Sequence, residues 1–169
     1  MIDSMGQEKA REIVEGFLDV TGRALLSGDY DSFLACFQLP HTIETPDQKT
    51  VLKTDAAFRR VFDLVVEDYR NRGITDLIRI CEVAEFRGPH RIEEMHVSHL
   101  MAGNYRVVEP YPSYSVIERF GDSWRITSSQ YAVDDRTTVG RALSMAGHDL
   151  PDAPTIPPAI PGAPTKREN

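Results

Sequence analysis

Between Thr75 and Val133 the chain holds four strand-length segments in series, divided by the turn pairs Gly88-Pro89, Gly103-Asn104 and Gly121-Asp122. Glycine reaches positive φ without a steric cost and proline presets a turn angle, so such pairs reverse a chain between strands. Helical patterns come before this block. Helices gathered in one half and strands in the other predict an α+β domain, with helices packed on one face of an antiparallel sheet. A bent sheet closed by helices encloses a cavity, which is why the pattern bears on function.

Glu8 to Leu26 fits a helix, with Ile13, Phe17, Val20 and Ala24 at helical spacing and Val14, Leu18 and Leu25 widening the stripe. Ser32 to Phe37 reads as a short second helix capped by Asp29 or Asp31. Leu39 to Lys53 reads as a hairpin about Pro46-Asp47. Thr54 or Asp55 caps a third helix that runs to Arg72 and stops at Gly73. Its apolar face is Phe58, Val61, Phe62, Val65 and Tyr69, and charges cover the opposite side.

The expected strands are Asp76 to Phe86, Ile92 to Met101, Arg106 to Phe120 and Ser123 to Val133. Alternate residues of a strand share a face. Placing the more apolar set inward selects Ile78, Ile80, Ala84 and Phe86, then Met95, Val97, His99 and Met101. On the third strand it selects Val108, Pro110, Pro112, Tyr114, Val116 and Phe120, and on the fourth Trp124, Ile126, Ser128 and Gln130. The serine- and threonine-rich complement then faces outward. Pro110 and Pro112 cannot donate to a ladder and mark a bulge or an edge.

At 169 residues the chain is long enough for one domain with a real core. Residues 1–135 are read as that domain, 136–148 as a C-terminal helix, and 149–169 as an extended or disordered tail. Six of the eleven prolines fall between 151 and 164, with no periodic apolar face. A net charge of -7 without a basic patch gives nucleic-acid phosphate nothing to bind. No apolar run approaches the roughly 20 residues of a membrane span. Two cysteines, Cys36 and Cys81, each in an apolar stretch, favour buried free thiols over a disulfide. With no apolar signal core at the N-terminus, the expected location is the cytoplasm.

Several local features together resemble the NTF2-like superfamily, and within it the SnoaL-like and ketosteroid-isomerase-like domains. They are the long first helix, the short helix with Tyr30-Asp31-Ser32-Phe33, the hairpin around Leu39-Pro40, the helix from Asp55 to Arg72 and the strand series. The last strand opens with Gly121-Asp-Ser-Trp-Arg-Ile126, similar to that family's common glycine-polar-tryptophan-basic-isoleucine start. The resemblance spans about residues 8 to 133. It implies a conical α+β fold with a cavity between helices and bent sheet, and a homodimer paired through the sheet's outer face. The superfamily holds isomerases, dehydratases, cyclases and transport factors, so the fold does not set the function.

His99 and Tyr114 head the catalytic candidates. Imidazole on the inward face can act as a general base, and a tyrosine there can donate to a developing oxyanion. The plain alternative is a core histidine and a core tyrosine with structural partners. Phe17, Tyr69, Trp124, Ser128 and Gln130 are the ligand-binding candidates, the last two at the mouth of the apolar row. His96-Val-Ser-His99 is rejected as a metal site, because residues three apart on a strand point to opposite faces. No phosphate loop, nucleophile elbow or C-x-x-C occurs. The expected protein is a cofactor-free, metal-free domain that binds a small, mostly apolar molecule in its cone. The alternatives are an acid–base isomerase, dehydratase or cyclase, and a dimeric interaction module whose cone is filled.

Overall fold

In a computed structural model, which describes residues 4–132, three helices come before most of the sheet. Helix α1 is Ser4–Ser27, α2 is Tyr30–Leu34 and α3 is Asp55–Asn71. The strands are β1 Phe37–Glu44, β2 Lys49–Leu52, β3 Asp76–Phe86, β4 Arg91–Ala102, β5 Tyr105–Arg106, β6 Tyr111–Phe120 and β7 Ser123–Tyr131. The expected helix at 136–148 and the tail at 149–169 lie outside the described residues.

Local chemistry sets the helix ends. The Asp29 side chain accepts from the Ser32 amide at 3.2 Å and caps α2. The Thr54 hydroxyl accepts from the Ala57 amide at 3.1 Å and caps α3. Gly73 ends α3 at φ 67°, a left-handed value that glycine adopts without a Cβ clash. The Tyr30 hydroxyl donates to Asp55 Oδ1 at 2.7 Å and joins the starts of α2 and α3.

The sheet runs β2-β1-β7-β6-β4-β3, with β5 paired to β4. It is mixed rather than antiparallel throughout, because β1 and β7 run parallel. A parallel pair needs a crossover, and α3 with the intervening strands supplies it. The expected third strand is divided: β5 ends at Arg106, and β6 begins at Tyr111 after Pro110. Proline has no N–H to offer the ladder, so the run breaks there.

Three register shifts bend the sheet. One lies between Cys81 and Val83, one between Ile126 and Ser128 opposite Ile117 and Val116, and one in β1 between Phe37 and Thr42. An extra residue bends its strand and shifts the alternation by one. Two apolar clusters lie between helices and sheet. One gathers Phe58, Phe62, Val65, Tyr69, Leu100 and Tyr111 under α3. The other gathers Ala10, Val14, Ile92, Ile117 and Ile126 under α1. Each fully buried aliphatic side chain contributes roughly 1.5–3 kcal/mol by transfer.

The inward faces differ from those expected. On β4, Ile92, Glu94, His96, Ser98 and Leu100 are buried, while Met95, Val97, His99 and Met101 face outward. On β6 the inward residues are Tyr111, Ser113 and Ile117, and Tyr114 is 46% exposed. On β3, Ala84 packs inward as expected, but Ile78 and Ile80 are about half exposed. On β7, Ile126 is inward, and the shift at Thr127 then turns Ser129 in and Ser128 and Gln130 out. The physical cause is that the outer face is apolar along β3 and β4, while the inner face beneath the helices carries polar side chains.

No helix among the described residues is long and apolar enough to cross a membrane. Cys36 and Cys81 are both buried free thiols, and burial raises both above their ordinary pKa.

Candidate functional site

The inner face of the sheet is graded in rows across the strands. At one end Phe86, Ile92, Ile117 and Ile126 are successive partners and form an apolar floor. The next row is Ala84, Glu94, Ser115, Ser129 and Ile43. Then come Cys81, His96, Ser113 and Tyr131, and after them Arg79, Ser98 and Tyr111. Three successive rows therefore place polar groups under the helices.

A cavity of about 70 Å³ lies over these rows. Its helix side is apolar: Leu25 of α1, Phe33 of α2, and Phe58, Val61, Phe62 and Val65 of α3. Its sheet side carries Arg79, His96, Ser98, Tyr111 and Tyr131, and Tyr69 enters from α3. An apolar cavity of about 150 Å³ holds a benzene molecule. The space here suits a smaller group unless side chains move.

Glu94 and His96 form the most unusual pair. Both lie on the inner face because residues two apart on a strand share a side. Their side chains are 2% and 6% exposed. His96 Nδ1 lies 3.1 Å and 3.0 Å from the two Glu94 carboxylate oxygens. An ionised carboxylate only accepts, so it holds the imidazole proton on Nδ1 and leaves the Nε2 lone pair for a ligand. Among the described residues Glu94 is the one buried carboxylate. A buried charge is costly unless paired and persists where its chemistry is used.

Arg79 reaches the cavity from β3 and also tethers α1. Its Nη2 donates to the Thr21 hydroxyl at 2.7 Å and to the Leu18 carbonyl. Gly22 makes room for this, since a Cβ there would lie 2.9 Å from Arg79 Nη2. Arg79 Nε is buried without a partner. Burial raises the pKa values of Tyr69, Tyr111 and Tyr131 above that of an ordinary phenol, so these three remain neutral O–H donors.

His41 is a different kind of buried histidine. It packs edge-on against Phe37 at 5.0 Å and Phe58 at 5.9 Å. Burial pushes its pKa down to about 4, against hydrogen bonds to the backbone of Ile126 and Thr127. It fills the bulge between β1 and β7 as a neutral core group.

Of the residues chosen from sequence, Tyr69 lines the cavity. Phe17 and Trp124 pack in the second cluster, with Trp124 at 5.9 Å from Phe86. His99 and Tyr114 sit on the outer face, away from the cavity. Tyr114 opposes Met95, four residues before His99, so the two are about 13 Å apart along the strand at 3.3 Å per residue. Tyr114, Ser128 and Gln130 instead line an open groove with Thr42, Glu44 and Glu93. The divergence of His96 and His99 is as the strand geometry requires.

Glu94, His96, Ser98, Arg79, Tyr111 and Tyr131 were not selected from sequence. One signal was present: Glu94-x-His96-x-Ser98 places three polar groups on one face of a strand. Ranking faces by apolarity hid it.

No family model matches the sequence, and no curated protein matches it. Solved structures do. An NTF2-like protein of unknown function from Shewanella oneidensis matches at TM-score 0.55 and 11% identity, over 73% of this chain and 98% of that one. An NTF2-like protein with a cystatin-like fold from Novosphingobium aromaticivorans matches at TM-score 0.55 and 15% identity, over 80% and 88%. A candidate dehydratase of the NTF2-like family from Streptomyces avermitilis matches at TM-score 0.57 and 10% identity, over 76% and 98%. At such identities likeness speaks for the fold. The chain has the NTF2-like fold, with N-terminal helices packed on a curved, unclosed mixed sheet.

Proposed function

We propose that the cone binds a small, mostly apolar molecule, and that His96, oriented by Glu94, exchanges a proton with it. The observation that carries this reading is the buried Glu94–His96 pair beside a cavity whose helix side is apolar apart from the Tyr69 hydroxyl. A histidine with one nitrogen fixed by a carboxylate presents a lone pair in a known direction, which is what a general base requires. The neutral tyrosines Tyr69, Tyr111 and Tyr131 supply donors for an oxygen that gains charge as the proton leaves. His99 and Tyr114 have no part in this reading, since neither meets the cavity.

The test has two arms. NMR of the full chain with a panel of small ketones should show ligand contacts to the methyl groups of Leu25, Val61 and Val65. The same ketones incubated in heavy water should take up deuterium next to the carbonyl, and His96→Gln should remove that exchange while the ligand still binds. Contacts without exchange would leave a binding protein. Contacts confined to the outer groove would overturn the cavity as the site.

The outer face supports a second proposal. Ile78, Ile80 and Val83 of β3 and Tyr114 of β6, on either side of β4, are 41–49% exposed. An apolar face of that kind fits pairing with a second copy of the chain, and covering it contributes hydrophobic stabilisation. Light scattering should then give twice the 19.0 kDa chain mass, and Ile80→Lys should return it to the single value. Two buried thiols held apart from any disulfide suit a reducing compartment, and the cytoplasm is the proposed location.

A further inference from the structure

We propose that Arg79 forms an anion subsite in the cone, so that the bound molecule is a short aliphatic carboxylate or the carboxylate end of a longer one. This rests on the cavity being the ligand site, and adds the chemistry of the ligand's head group.

The guanidinium is bonded on one side only. Both of its hydrogen bonds come from Nη2 and go to neutral acceptors, the Leu18 carbonyl and the Thr21 hydroxyl. Nε is fully buried and makes none. Among the described residues no ion pair involves Arg79. The buried carboxylate nearby, Glu94, has both oxygens on His96 instead. A buried cation with a spare N–H is a costly arrangement unless an anion completes it.

The surroundings fit a carboxylate. Ser98 is the cross-strand partner of Arg79, and Tyr111 is the partner of Ser98, so two hydroxyls lie in the same row as the guanidinium. A planar guanidinium accepts a carboxylate with matched geometry. The opposite wall, Leu25, Val61 and Val65, suits an alkyl chain. His96 belongs to the next row, diagonal to Arg79 across β3 and β4 at about 7–8 Å. A carboxylate anchored on Arg79 thus brings the carbon chain beside the imidazole. A role as a tether for α1 alone would explain Nη2, and would leave Nε buried without purpose.

The full chain is titrated with propionate and with propionamide at constant ionic strength, and the Arg79 Nε–H signal is followed by NMR. The two probes have the same shape and differ in charge. Propionate is expected to bind at least tenfold more tightly and to shift the Arg79 signal. In Arg79→Lys, which keeps the charge and loses the fork, the preference should shrink severalfold. Equal affinities, or propionate binding without a shift at Arg79, would overturn the subsite and leave the cavity reading intact. If neither probe binds, the subsite is overturned, and the cavity reading stands or falls on the ketone contacts at Leu25, Val61 and Val65. The wild-type comparison needs no variant, so a misfolded Arg79 variant does not weaken the test.

Discussion

Strand β4 shows both faces of the sheet at once. Its residues Ile92, Glu94, His96, Ser98 and Leu100 are buried under the helices, and three of the five are polar. Its residues Met95, Val97 and Met101 face outward beside Ile78 and Ile80, which are about half exposed. The inner face thus mixes an apolar floor with a polar wall, while the outer face is apolar where β4 meets β3 and polar toward β7 and β1. In a protein whose helices close a cavity, polarity inside reports a site, and apolarity outside reports a surface waiting to be covered.

The sharpest way to break this comparison is to truncate one residue on each face. Ile117 is 1% exposed on the apolar floor, and Ile117→Ala should cost about 2–5 kcal/mol of unfolding free energy in urea titration. Ile80→Ala on the outer face should cost less than about 0.5 kcal/mol in the monomeric chain. Equal losses, measured at one low protein concentration, would mean that the outer face is packed after all.

A second test concerns acid. Burial holds the folded pKa of His41 at about 4, below the ordinary imidazole value of 6.5. Between those values the unfolded chain takes up a proton that the folded chain does not. Stability therefore falls as pH drops from 6.5 to 4, by on the order of 3 kcal/mol in total. His41→Leu should flatten that part of the profile relative to wild type. An unchanged slope would show that other groups control the acid limb.

Smaller again is the effect of Thr54→Ala, which touches neither face and removes the amide acceptor at the start of α3. It should cost about 1 kcal/mol, setting a scale for local contributions. A loss as large as that of Ile117→Ala would show that the start of α3 carries core packing.

The helices were legible because their information is local. The α3 stripe Phe58, Val61, Phe62, Val65 and Tyr69 is buried as its spacing implies, and Thr54 caps it. Strand spans were legible too, β3 running Asp76–Phe86 as read from its turn signals. The site was not. Alternation states which residues share a face, but it cannot state which face the helices cover. The apolar-inward rule chose Met95 and His99 over Glu94 and His96, because the cavity wall is polar. Extra residues near Glu82 and at Thr127 then changed parity in mid-strand, turning Ile78 and Ser128 outward while Ala84 and Ile126 stayed in.

By itself the sequence determined the order of elements, their caps and turns, and the α+β class, since each follows from neighbours a few residues apart. Only the tertiary structure decided that Glu94, His96 and Arg79 meet under α1 and α3. Their meeting depends on strand register, on two bulges and on the side from which the helices pack, none of which a single strand's pattern contains.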